Sequence, residues 1–147
     1  MRLSVSLAVL AALVAGPLRV SAHHAFAAGT LRTSAHHAFA AEFDATKPIK
    51  LKGTVVKMEW INPHTWLHID VKRPDGKTER WMIEGGPPNA LYRRGFNKDS
   101  LPAGSEILVE GFRAKDGSMR GNGRELTFSD GRRLFVGSSG TGAPGEK

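Results

Sequence analysis

From Ile49 onward the chain is cut at short intervals by turn signals, and this punctuation limits the fold more than any other feature. Asn62-Pro63, Pro74-Asp75-Gly76-Lys77, Leu101-Pro102-Ala103-Gly104, Lys115-Asp116-Gly117-Ser118 and Asp130-Gly131 leave only short stretches between them. β-type runs fill those stretches. Lys50–Trp60 forms the first, with Gly53 allowing a bend or bulge where a strand curls. Thr65–Lys72 alternates cleanly, with Leu67, Ile69 and Val71 on one face and Trp66, His68 and Asp70 on the other. Thr78–Glu84 returns across a hairpin turn. Gly85-Gly86-Pro87-Pro88 then opens a short helix from Asn89 to Arg94, with Asn89 as the expected N-cap and Gly95 as the stop. Glu106–Ala114 is a fourth strand, and Gly123–Ser129 with Arg132–Val136 make a last hairpin.

Three meandering strands, a helix, then two or three strands is the order of an OB-like fold, a small and partly open β-barrel. The expected class is therefore mainly β with one short helix. A plain antiparallel sheet with one covering helix is the alternative. With no cysteine in the chain, an ordinary hydrophobic core must hold either arrangement together. Closure would also dispose of exposed strand edges.

The N-terminal third has a different character. Met1-Arg2 is a basic start, Leu3 to Val14 is apolar, Gly16-Pro17 breaks the run, and Val20-Ser21-Ala22 is a small-residue cleavage signal. The apolar run falls well short of the roughly 20 residues needed to span a bilayer. Residues 1–22 are expected to be a signal peptide and the protein periplasmic, with no transmembrane span after processing. The phrase Ser-Ala-His-His-Ala-Phe-Ala-Ala occurs twice, at 21–28 and 34–41, as a 13-residue tandem duplication. Cleavage after Ala22 or after Ala35 would place a His-His pair at the new terminus. Residues 23–47 are expected to be a flexible arm, in which Phe39 to Phe43 add a helical turn or pack their two rings on the domain. Residues 48–137 form the β domain, and the Gly/Ser-rich residues 138–147 a disordered tail.

The formal net charge is +7; removing residues 1–22 takes away Arg2 and Arg19 and no acid, leaving +5. That balance suits an anionic envelope surface, while export argues against a nucleic-acid partner.

Two constellations carry chemistry. Imidazoles suit late transition metals such as copper or nickel. His23, His24, His36 and His37 are candidate ligands, and His64 would join them if the arm folds back over the second strand. His64 and His68 would lie about 13 Å apart along an extended strand, too far to share one ion. The other reading of the His-His pairs is a solvated arm. Ligation needs neutral imidazole, so occupancy should fall below about pH 6. The second constellation is aromatic and polar: Trp60, Asn62, His64, Trp66 and His68 from the first two strands, with Trp81 and Glu84 from the third, although Trp60 and Trp81 also suit a core. Trp66 on an exposed face would stack on a flat ligand. Backbone amides near Asn89, assisted by Arg93 and Arg94, would hold an anion, although helix capping accounts for the same residues. No nucleophile motif, phosphate loop or carboxylate pair with acid–base spacing is present, so no enzyme is expected.

Taken together, His36-His37-Ala-Phe-Ala-Ala-Glu-Phe-Asp44, Glu59-Trp-Ile-Asn-Pro-His64, Glu84-Gly-Gly-Pro-Pro-Asn-Ala-Leu91, Arg93-Arg-Gly-Phe96 and Gly111–Ser118 resemble an exported bacterial family, domain of unknown function 6152. The resemblance implies a small exported β domain and no established activity. The extra repeat and Ala38, where Ser is usual, depart from its pattern. The expected function is a non-enzymatic binding or accessory domain, engaging a small ligand or an envelope partner through the face of strands two and three. The alternatives are a copper- or nickel-type metal binder and a structural envelope protein.

Overall fold

The first strand is much longer than its apolar pattern suggests. In the computed structural model, which describes residues 39–138 and Thr141, β1 runs over 17 residues, Phe43–Glu59. Five residues assigned above to the arm, Phe43 to Lys47, thus belong to the strand. Their partner is distant in sequence: Phe43 lies opposite Ala114 and Asp44 opposite Arg113. A helical turn over residues 39–42 precedes it, and the Phe39 ring packs on Phe43 and Phe112 at centroid distances of 5.8 and 5.6 Å.

The other elements are β2 (Trp66–Lys72), β3 (Thr78–Glu84), the helix α1 (Pro88–Arg93), β4 (Glu106–Ala114), β5 (Arg120–Phe128) and β6 (Arg133–Phe135). β1 serves two partners in turn, β4 up to Thr54 and β2 from Thr54 onward. A strand shared in this way must curl, and it does so at a bulge between Val55 and Lys57, just beyond Gly53. β2 and β3 form the hairpin expected around Gly76, which holds φ +80°. β4 and β5 pair antiparallel, and β3 and β5 pair in parallel through Met82–Arg120, Ile83–Gly121 and Glu84–Asn122. Five strands therefore form a ring, β1-β2-β3-β5-β4, with β6 added to β5. This mainly β ring is compatible with the OB-like expectation, whereas the plain antiparallel sheet is excluded by the β3–β5 pairing. β5 starts three residues earlier than its sequence pattern indicated because Arg120–Asn122 make that seam.

Leu67, Ile69, Ile83, Val109 and Leu126 point into the ring, and Leu91 from α1 with Phe96 closes one end. The interior is closely packed: a cavity among its apolar side chains measures about 10 Å³, no more than a single water requires. The helix starts one residue before its expected position, with Pro87 as N-cap, and Asn89 makes no side-chain cap. Proline's fixed φ is preorganised for the first turn, which removes the need for Asn89 there. Among the described residues no helix is long and apolar enough to cross a membrane.

Candidate functional site

The Glu84-Gly85-Gly86 corner brings the site residues together. Gly85 N–H donates to the Thr65 carbonyl at 2.8 Å, Thr65 N–H and its hydroxyl donate to the Gly86 carbonyl at 3.2 and 3.0 Å, and Gly86 N–H donates to Val136 at 2.7 Å. A Cβ on Gly85 would lie 2.5 Å from the Thr65 hydroxyl oxygen, so only glycine allows this lateral approach. The corner fixes His64, which follows the cis Asn62–Pro63 peptide, beside Glu84 at the end of β3.

Register does the rest. Trp66 is paired with Glu84 across β2–β3, and Glu84 with Asn122 across the β3–β5 seam. These residues alternate with the core positions Leu67 and Ile83, so they lie on the outer face of the ring. The helical turn and the start of β1 rise over that face. A cleft of about 390 Å³ results, with Phe39, Phe43 and Trp66 as aromatic walls and His64, Glu84 and Asn122 among its polar lining. Arg120 binds the wall together: it donates to the Glu42 carboxylate at 2.8 Å and stacks over Trp66 and Phe43 at 5.4 and 5.9 Å.

The polar floor is incompletely satisfied. His64 Nδ1 is 2.7 Å from Glu84 Oε1, yet its N–H direction misses the oxygen and the atom has no hydrogen-bond partner. The short separation is thus a contact rather than an aligned bond. Asn122, with 1 % of its surface exposed, donates to Glu84 Oε1 at 3.3 Å, while its Oδ1 accepts nothing. Burial pushes the Glu84 carboxyl above its usual range, and the charge of Glu42 adds to that; His64 and Arg120 act in the opposite sense.

Of the residues singled out from sequence, His64, Trp66 and Glu84 meet in this cleft. The others do not. Trp60 packs on Phe96 at 6.0 Å, on the core side. Asn62 is exposed in the β1–β2 connection. His68 faces Glu59, with Nε2 3.2 Å from Oε1. Asn89 and Arg93 are exposed on α1, and Arg94 is committed to the Gly137 carbonyl at 2.8 Å. His23, His24, His36 and His37, the leader and most of the tail lie outside the described residues. Sequence reasoning missed Phe39 and Phe43 as walls, and Glu42, Arg120 and Asn122 altogether. A signal for Asn122 existed: it is a polar residue between Gly121 and Gly123, where β5 passes close to β3 and β4.

A family profile described as a family of unknown function (DUF6152) matches residues 25–124. The chain belongs to this family. The matched segment includes the cleft residues from Phe39 to Asn122, while Ser138, also in the lining, lies beyond it. Searches of curated proteins and of solved structures gave no match.

Proposed function

We propose that this family member is a binding or accessory domain of the cell envelope, exported and non-catalytic, that takes a small ligand or a partner's side chain into the outer cleft. One observation carries the reading: a buried carboxylate, Glu84, and an unpartnered amide oxygen, Asn122 Oδ1, lie at the floor of an aromatic-walled cleft. Buried polar groups are ordinarily satisfied, and an amide oxygen left without a donor beside a buried carboxylate is complementary to a donor-bearing guest. Trp66 would cover the guest's flat or apolar part, and Arg120 would keep the wall in place. The leader and the small-residue cleavage signals support the reading of export.

Tryptophan fluorescence tests the reading, because Trp66 lines the cleft while Trp81 is buried in the core. An envelope-derived peptide, glycan or lipid that binds should change the emission saturably in the native chain, and not in Trp66→Phe. A broad panel with no saturable change would remove the proposal.

A further inference from the structure

The Glu84 carboxylate is short of the partner that its burial calls for. Its side chain is 10 % exposed, and both of its contacts fall on one oxygen. Asn122 Nδ2 donates to Oε1 at 3.3 Å, and His64 Nδ1 lies 2.7 Å from the same atom without an aligned bond. Among the described residues no side chain donates to Oε2. A carboxylate withdrawn from water is ordinarily held by a cation or by several N–H donors. Arg120, the cation of this cleft, is taken by Glu42 at 2.8 Å. The raised carboxyl of Glu84, driven first by burial, reflects that shortfall.

The ring's other histidine–carboxylate contact shows what is missing. His68 Nε2 stands 3.2 Å from Glu59 Oε1, and it too lacks an aligned bond. There, however, the chain supplies a cation of its own: Lys57 Nζ sits 2.5 Å from the same oxygen. The imidazole is common to both contacts, and the ammonium is what differs. Glu59 has one although its side chain is 33 % exposed; Glu84, more deeply buried, has none among the described residues.

We propose that the cleft receives a primary ammonium group on an apolar stem, with the ammonium on Glu84 Oε2 and the stem against Phe39 and Pro63. This rests on the binding role of the cleft and names the chemistry of its guest. Asn122 Oδ1, buried and unpartnered beside the carboxylate, offers a second acceptor. A guanidinium fits less well, because its fork takes both oxygens of a carboxylate and Oε1 is already engaged. The aromatic wall accepts positive charge, since the Arg120 guanidinium already stacks over Trp66 and Phe43. An anionic guest would instead meet Glu84 and Glu42 together. A free alkylamine and the lysine side chain of a partner present the same group.

The test titrates the full chain near neutral pH with n-pentylamine, n-pentanol and n-pentylguanidine, followed by NMR. The amine should bind saturably and shift the Asn122 side-chain amide and the Trp66 indole signals. The alcohol should bind at least about 10-fold more weakly, the lower end for a hydrogen bond to a charged group, and the guanidine more weakly than the amine. Nα-acetyl-lysine amide separates the sources: tighter binding than pentylamine assigns the ammonium to a partner's side chain, and weaker binding to a free amine. Glu84→Gln keeps the side chain's shape and should weaken the amine by about 10- to 100-fold. Glu42→Gln, at an exposed position, leaves Arg120 free to answer Glu84 and should also weaken it; this variant stays informative if the first folds poorly. Equal affinity for amine and alcohol, unchanged affinity in Glu84→Gln, or tighter binding in Glu42→Gln would each overturn the proposal. A neutral glycan that changes Trp66 emission saturably, with no binding of any amine, would remove the ammonium and leave the broader binding role standing.

Discussion

Two histidine–glutamate contacts sit four residues apart on neighbouring parts of the same ring, and their burial is inverted. In His64–Glu84 the histidine side chain is 33 % exposed and the carboxylate 10 %; in His68–Glu59 the histidine is 10 % exposed and the carboxylate 33 %. The consequences are opposite. Burial raises the Glu84 carboxyl, whereas the ammonium of Lys57 lowers that of Glu59. His68 is itself held below its usual value, first by burial and then by Lys57, so the second contact pairs a neutral imidazole with a satisfied carboxylate. Residue types alone do not distinguish a site from a structural contact. The distinguishing feature is which partner has lost its solvent, and whether another charge has already answered it.

The comparison can be broken most strongly at Gly111. A Cβ there would lie 2.0 Å from the Asn122 carbonyl oxygen, backbone that cannot step aside. Gly111→Ala should cost about 3 kcal/mol in denaturant unfolding, at the upper end for overpacking. In the residual folded protein, imidazole NMR signals of His64 should move while those of His68 stay in place.

Next comes the carboxylates' pH dependence, read on the protein alone. A carboxyl whose folded value is raised contributes stability that is present below its unfolded value, near 4.5, and is lost as pH rises through the folded value. Glu84→Gln mimics the neutral form. It should therefore gain on the native protein as pH rises above that range, by on the order of 1 kcal/mol at neutrality. Thermal unfolding across pH 4 to 8 measures the gap, and a gap that stays constant would refute the assignment. Glu59→Gln, at the partly exposed contact, should follow the native protein closely above pH 5, because an exposed, screened ion pair contributes little.

The smallest expected effect is at Lys57. His68, with its folded value below 6.5, contributes stability present above 6.5 and lost as pH falls through that folded value. Lys57→Met removes one of the two main causes of the depression. The His68 titration, followed by NMR, should move upward and the acid-side loss should shrink.

Much of the ring was legible in the sequence because its hairpins are local. Alternation over Thr65–Lys72 and the turn at Asp75-Gly76 fix the β2–β3 register, and that register sets Trp66 opposite Glu84. His64, two residues earlier, comes with them. What escaped were partners supplied by distant pairings. Phe43 is drawn into β1 by Ala114, and Asn122 is brought to Glu84 by a parallel seam that no hairpin signal announces. Trp60 resembled a binding residue, but after the β1 bulge it packs toward Phe96. The packing of Phe39 and Phe43 on the domain was anticipated; that they wall a cleft was not.

The β3–β5 seam joins its two strands through only three residue pairs, and the last of them is Glu84–Asn122. The floor of the cleft is therefore also the ring's zipper end, with one half of the floor on each side of the parting line. Any force or thermal excursion that unzips the ring from this end pulls the two halves apart before it disturbs the hairpins. A guest held between them would act as a rivet.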